Sequence, residues 1–354
     1  MVRVLVLGSG YVAQHLVECL RVEAKFKVTY THRSVEAPFQ AENVSSVRLD
    51  LTDADSVAKA LWTTLPDVVV NAAAMASPAA CEADPMSADA VNCPVLLMEA
   101  LFACCPDALL IHFSTDIVLA DAEDAHSDGG ASVAGAKRAI DEAKPANVYG
   151  RSKLRFEKCL ADAPWPRCIV LRCSNILGAP APFRPDDLAT RKFAQWLLSR
   201  FSAGGETKLW NDEFRNFVDI RQILGGVRSA IDRFGVAHVR TTEQADVEAL
   251  VAATTPSETS LADKKARLTH PPLFLHLNAG GPDCLSRADV GRILACVVGV
   301  DADSAVVSAP RGFDCPYPSP LRVELDSANF VHELGVPLVP IRDALRFAFE
   351  TQRH

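Results

Sequence analysis

Residues 2–13 read VRVLVLGSGYVA: a short, mostly apolar run, a glycine turn, and the opening of an amphipathic helix. A strand that feeds directly into a helix must return through a crossover, and the next strand in its sheet then lies parallel. The same alternation recurs. KVTYTH, VRLDL, DVVVNAAA, ALLIHFST and CIVLRCS are further strand segments, separated by helical stretches such as DADSVAKALWTT, DAVNCPVLLMEALFAC and SKLRFEKCLAD. Most of the strand segments are almost continuously apolar, as parallel strands covered on both faces must be. The class expected is therefore α/β, with a doubly wound parallel sheet.

That pattern holds over residues 1–177, which are expected to form a Rossmann domain. After Gly178 the proline-rich APAPFRPDD leads into the helical TRKFAQWLLSRF. FRNFVDIRQILGGVRSAIDRF then reads as a strand running into a helix, and this segment, about 212–240, is expected to rejoin the first domain. Residues 178–211 and 271–354 are expected to form a smaller C-terminal substrate-binding lobe over the carboxyl edge of the sheet. Residues 241–270 are polar and aperiodic, an expected inserted loop. Asp121 to Ala139 is acidic and rich in Gly and Ala, a second insertion.

Composition narrows the function. The net charge is −8, and no element concentrates Lys and Arg, which argues against a nucleic-acid surface. No apolar run reaches the ~18 residues that span a bilayer, so no membrane partner is expected. The N-terminal apolar stretch ends in a glycine turn and reads as a buried strand rather than a leader, which suggests a cytoplasmic protein. The 11 cysteines contain no C-x-x-C, and the nine histidines no H-x-H or H-E-x-x-H, so buried free thiols and no protein-made metal site are expected.

The first turn, GSGYVA, has the form of a dinucleotide fingerprint. Gly8 suits the tight turn and Gly10 a close approach of backbone to pyrophosphate. The N–H groups opening the helix at Tyr11 and Val12 are free to hold phosphate. The second strand ends in THRS, with no acid for a ribose 2′-hydroxyl but with Arg33 available to a 2′-phosphate. NADP(H) is thus the expected cofactor, the alternative for Arg33 being a solvated loop residue. Asp50 and Leu51 follow the third strand, where Asp50 could accept from an adenine amino group. Asn71, Ala72 and Ala73 close the fourth strand with small side chains against which a cofactor could lie. Both sets also suit ordinary strand-end chemistry.

FSTD ends the fifth strand, so the Thr115 hydroxyl and Asp116 could meet a substrate at the switch-point crevice; capping a turn is the alternative. NVYGRSK follows. If it opens a helix, Tyr149 and Lys153 share one face at i and i+4. A neighbouring ammonium would lower the tyrosine pKa toward the working pH and make it a better general acid. The same lysine could bind the nicotinamide ribose.

VVVNAAAMASPAACEADPMSADAVN, HFSTDIVLAD, PANVYGRSK, LRCSNILG and LDSANFVHELGVPLVPIRDALR stand in an order that resembles the extended short-chain dehydrogenase/reductase family. Within it, the chain looks most like the dTDP-4-dehydrorhamnose reductase-like branch. The resemblance implies Thr115, Tyr149 and Lys153 as catalytic residues, Asn92 as a helper in proton relay, and Arg215, from NDEFRNFVDI, beside the substrate. It implies an NADPH-dependent reductase of a 4-keto nucleotide sugar. The alternatives are an epimerase or dehydratase on the same frame, or a non-catalytic NADP-binding subunit similar to the methionine adenosyltransferase β-subunit. The assembly is correspondingly open between a homodimer and a complex with a partner enzyme.

Overall fold

The structure, a computed structural model, describes residues 1–34, 36–119, 136–139, 141–163, 167–185, 187, 190–235, 272–311, 315 and 317–350. Most of the Asp121–Ala139 insertion and all of 241–270 lie outside the described residues. The six strands anticipated before Gly178 are β1 (Val2–Leu7), β2 (Phe26–His32), β3 (Val44–Arg48), β4 (Val68–Asn71), β5 (Leu109–Thr115) and β6 (Arg167–Cys173). Shorter or later strands are β7 (Asn175–Leu177), β8 (Thr207–Trp210), β9 (Phe214–Asp219), β10 (Leu273–Ala279), β11 (Cys284–Ser286), β12 (Val306–Ala309) and β13 (Arg322–Val323). The first eight helices are α1 (Tyr11–Arg21), α2 (Ala54–Thr64), α3 (Pro78–Ala83), α4 (Pro85–Asn92), α5 (Val95–Cys104), α6 (Val148–Asp162), α7 (Phe193–Ala203) and α8 (Ile220–Phe234).

The main sheet has seven strands in the order β10-β6-β5-β4-β1-β2-β3. Every neighbouring pair is parallel. Strand order reverses between β1 and β4, so a crevice opens at their carboxyl ends, the place where such sheets take ligands. Each face is covered. Leu16 and Val17 of α1 and Ile223 and Val227 of α8 pack on one side. Val57 and Leu61 of α2, Leu97 of α5 and Phe156 of α6 pack on the other. The doubly wound α/β sheet is as expected.

The segment expected at 212–240 divides. Its helix, α8, does rejoin the main sheet, but its strand, β9, joins a small four-stranded sheet with β7, β11 and β13. The seventh strand of the main sheet comes instead from β10, expected in the smaller lobe. Side-chain chemistry explains the exchange. LFLHLNA pairs with β6 along its whole length and buries its last three residues at the edge of the sheet. In β9, Asn216 donates to the Gly281 carbonyl (2.9 Å) and accepts from the Leu325 N–H (2.7 Å), and Arg215 binds the 319–321 segment. Those bonds tie the strand to C-terminal chain.

The helix read as DAVNCPVLLMEALFAC is broken. Pro94 has no N–H to continue the ladder, and α4 ends before it while α5 starts after it. Pro85–Cys104 is long and apolar enough by composition to cross a membrane. Leu97, Leu101 and Cys104 are nevertheless buried in the protein core, as in a core helix.

Helix α6 carries Tyr149 and Lys153 and is fixed at its start and again at Glu157. The Asn147 carboxamide oxygen caps it, accepting from Gly150 N at 2.9 Å, while its Nδ2 donates to the Pro318 carbonyl at 2.9 Å. Further along, Glu157 meets Arg172 of β6 in a fork: Nη2 to Oε2 is 2.6 Å and Nε lies 3.2 and 3.1 Å from the two oxygens. Their side chains are 1% and 4% exposed. The Ser114 hydroxyl of β5 donates to the same carboxylate, and Arg172 Nη1 donates to the Ala139 carbonyl at 3.0 Å. Breaking such a pair from one side leaves a buried unpaired charge. Arg172→Met is therefore expected to cost about 3–5 kcal/mol in denaturant unfolding. The double variant Glu157→Leu/Arg172→Met should recover much of that loss; equal losses in the single and double variants would contradict this account.

Candidate active site

The glycine turn opens the site. Gly8 has φ of 101°, and a Cβ there would stand 3.3 Å from the Ala73 backbone, so both conformation and space call for glycine. Its N–H donates to the Thr31 hydroxyl at 2.9 Å. Gly10 precedes α1 in extended conformation, with nothing within 4 Å of an added Cβ. The first turn of α1 has no acidic residue and no side-chain cap. Unsatisfied N–H groups at a helix start, beside open space, fit the pyrophosphate of a dinucleotide. Val12 lines this space. Tyr11 lines it too, but its hydroxyl turns away to donate to the Ala179 carbonyl at 2.8 Å.

The residues expected around the rest of a cofactor scatter by role. Arg33 is exposed just beyond β2, and its charge helps lower the Asp50 pKa, although the hydrogen bonds from Thr52 do so more. Those bonds occupy one Asp50 oxygen, from Thr52 N at 3.0 Å and Oγ1 at 2.7 Å. Leu51 is buried in the core beneath α2. Asn71 is fully buried, with Nδ2 3.2 Å from His112 Nδ1 and Oδ1 accepting from Ala73 N at 3.2 Å. Ala73 backs the glycine turn, and Ala72 lines the cleft.

A cleft of about 450 Å³ runs from Gly10 to the small lobe and brings together Thr115, Asp116, Tyr149, Lys153 and Arg215. Thr115 lies beside the Tyr149 phenol, and its Oγ1 donates to Asp116 Oδ1 at 3.1 Å. Lys153 is 2% exposed and donates to the Phe113 carbonyl at 2.8 Å. Burial brings its pKa down to about 8, against the opposing pull of Glu157. The Tyr149 pKa does not fall as expected. Burial raises it, with Asp116 and Cys81 adding to the rise, and only the Thr115 hydrogen bond opposes. Desolvation of the phenolate outweighs any help from the lysine, whose ammonium gives one of its three N–H groups to a backbone carbonyl.

Asn92 is fully buried. Its Oδ1 accepts from Met75 N at 2.9 Å, and its Nδ2 donates to the Met75 carbonyl and to Ser152 Oγ, each at 3.1 Å. It thus clamps the loop after β4 to helix α6, and Ser152 in turn donates to the Tyr149 carbonyl at 2.9 Å.

The floor of the cleft is ionic. Asp116 accepts from Ser174 Oγ at 2.8 Å and lies 3.9 Å from Arg215 Nε. Burial raises its pKa, while Arg215, Ser174 and Thr115 pull the other way. Arg215 Nη2 lies 3.0 Å from Glu213. Ser174, Glu213, Lys192, Arg287 and Ser319 also line the cleft and were not singled out in the sequence. Ser174, closing CIVLRCS, had a strand-end signal; the others come from later segments that only the fold brings to the switch point. Arg287 lies over the rings of Phe193 (5.2 Å) and Trp210 (5.4 Å), and Lys192 over Tyr11 (5.2 Å).

Residues 2–245 match the family model described as the RmlD substrate binding domain. A probable low-salt glycan biosynthesis reductase of Haloferax volcanii is 27% identical over 96% of this chain and 94% of its own. The dTDP-4-dehydrorhamnose reductase of Escherichia coli is 28% identical over 47% of this chain and 49% of its own. The crystal structure of dTDP-4-dehydrorhamnose reductase from Bacillus anthracis, in complex with NADP, has a TM-score of 0.66 at 14% identity. It covers 99% of this chain and 100% of its own.

The depressed lysine has a measurable consequence. Folded Lys153 loses its proton near pH 8, whereas an unfolded lysine keeps it to about 10.5. Between those values the unfolded chain binds more protons, so this contribution makes stability rise with pH. Lys153→Met removes the penalty, worth up to about 3 kcal/mol below pH 8. The stability of Lys153→Met minus that of wild type is therefore expected to shrink from pH 7 to pH 10.5 in urea titrations. A difference independent of pH would mean the ammonium is not desolvated.

Proposed function

The chain belongs to the RmlD substrate binding domain family, in the dTDP-4-dehydrorhamnose reductase-like branch of the extended short-chain dehydrogenase/reductases. From that premise we propose that it is an NADPH-dependent reductase of a 4-keto nucleotide sugar. One observation carries the reading: Thr115, Tyr149 and Lys153 line one cleft together with the glycine turn at Gly10.

The cofactor, when bound, supplies hydride. The chain supplies everything else. Thr115 and Tyr149 donate to the oxygen of the ketone, polarising it where negative charge develops. The raised pKa keeps the Tyr149 proton in place at neutral pH, so the phenol is a hydrogen-bond donor, and giving up that proton depends on groups that stabilise the phenolate. Lys153, protonated below about pH 8, offers N–H groups to ribose hydroxyls and stabilises the phenolate left behind. Gly10 leaves room for the diphosphate, and Arg33, exposed beyond β2, is available to a 2′-phosphate.

The relatives named as reductases support reduction over epimerisation. A dehydratase would use an acidic pair after the threonine, and here Ile117 follows Asp116. A regulatory subunit serving a partner enzyme would bind NADP(H) without turnover, so single-turnover NADPH oxidation with a 4-keto nucleotide sugar separates the two.

In that assay Tyr149→Phe is expected to lower the rate by roughly 10²–10⁴-fold with NADPH affinity almost unchanged, and Thr115→Val should behave alike. Unimpaired turnover in Tyr149→Phe would end the assignment. NADPH is expected to bind about ten- to a hundredfold more tightly than NADH, as a charge-assisted contact to the 2′-phosphate predicts. Arg33→Ala should erase the difference in a fluorescence titration; equal wild-type affinities would refute the cofactor preference.

A further inference from the structure

We propose that Lys192, a side chain of the small lobe, is the counter-cation of the cofactor's diphosphate at the glycine turn. The proposal rests on reading that turn as the dinucleotide site, and it adds to the site a residue from the other lobe. The turn and the start of α1 bring backbone donors but no positive side chain: GSGYVA contains no Lys or Arg. A diphosphate gains from a nearby cation as well as from N–H groups. Four cations line the cleft. Lys153 donates to the Phe113 carbonyl at 2.8 Å, and Arg215 lies 3.0 Å from Glu213. Arg287 and Lys192 have no carboxylate partner among the described residues and lie over aromatic rings instead. Those rings separate them. Arg287 lies over Phe193 and Trp210, both of the small lobe, and Lys192 over Tyr11, the first residue of α1.

The chain holds Lys192 in that place from both sides. Lys192 immediately precedes α7, and its N–H donates to Gln195 Oε1 at 3.1 Å. Gln195 Nε2 donates in turn to the Gly178 carbonyl. From the Rossmann side the Tyr11 hydroxyl donates to the next carbonyl, that of Ala179, at 2.8 Å. Two consecutive peptide groups thus tie the start of α7 to the start of α1. Lys192 Nζ stands 5.2 Å from the centroid of the Tyr11 ring, in the cleft that Gly10 and Val12 also line.

The ammonium lacks an anion there. No hydrogen bond or ion pair reaches Nζ among the described residues, and burial, with nothing opposing it, lowers its pKa. A cation desolvated without a counter-ion favours an anion beside it. Asp219, whose charge reaches Tyr11, is already taken, since Arg221 pairs with it at 2.6 Å. The missing anion therefore comes with a ligand, and the free N–H groups opening α1 mark where its oxygens go.

The test is of binding alone: fluorescence titration with NADPH and NADH, and calorimetric titration with adenosine 2′-monophosphate and with UDP. Lys192→Met keeps an apolar stem and removes the charge. It is expected to weaken NADPH and NADH alike, by at least about tenfold each, because both carry the diphosphate. Adenosine 2′-monophosphate has no diphosphate, and that of UDP belongs to the substrate. Both should bind the variant as they bind wild type, which reports an intact cleft. Lys192→Arg, which keeps the charge, should recover most of the loss. The proposal is overturned by a loss confined to NADPH, a matching loss for adenosine 2′-monophosphate, an equal or greater loss for UDP, or no recovery in Lys192→Arg. If wild type binds neither dinucleotide, the reading of the glycine turn fails and this proposal with it. If wild type binds both and Lys192→Met binds them as well, only the Lys192 assignment fails.

Discussion

A buried ion pair between Glu157 and Arg172 joins the helix that carries the candidate catalytic residues to the sheet that carries the rest of the site. Glu157 lies on α6 one turn beyond Lys153, and Arg172 lies on β6. Ser114, which donates to the same carboxylate, immediately precedes Thr115 on β5. Three elements thus converge on one desolvated charge, and the relative placement of Thr115, Tyr149 and Lys153 depends on it. Two buried ions are costly to desolvate, and close forked geometry with further hydrogen bonds is what makes the pair tolerable. The returns are positional: a helix docked through it has little freedom to slide along the sheet.

Desolvation also governs the chemistry. Burial lowers the Lys153 pKa and raises those of Tyr149 and Asp116. In each case the charged form is the one disfavoured, and the neighbouring charges only partly compensate. The tyrosine is consequently held protonated. The lysine is held close to the pH at which its charge can respond to what occupies the cleft. At the other wall, Arg215 serves the structure of the small lobe by gathering the carbonyls of Pro320 and Leu321.

Local and long-range interactions specify different parts of this molecule. The glycine turn, the alternation of strand and helix, and the Tyr149–Lys153 spacing are local, and each was legible because backbone conformation and side-chain periodicity act over a few residues. The same reading placed β9 in the main sheet and β10 in the lobe. That assignment failed because a strand's partner is chosen by side chains far away in the chain: Asn216 by Gly281 and Leu325, Leu273–Ala279 by β6. Asn71 and Leu51 stood beside cofactor-like positions in sequence, yet side-chain alternation turns Asn71 into the sheet and packing draws Leu51 into the core. Asn92 clamps a loop to α6 through bonds 17 and 60 residues apart in sequence.

By itself the sequence determined the class of fold, the form of the glycine turn and the one face that Tyr149 and Lys153 share, because these follow from periodicity, from glycine's freedom at φ above zero, and from i, i+4 spacing. Only the tertiary structure decided which oxygen each of these groups faces and which way each pKa moves. It also decided which carbonyls the two terminal nitrogens of Arg215 gather. Those outcomes depend on which groups lose water together, and segments more than a hundred residues apart determine that only once they meet.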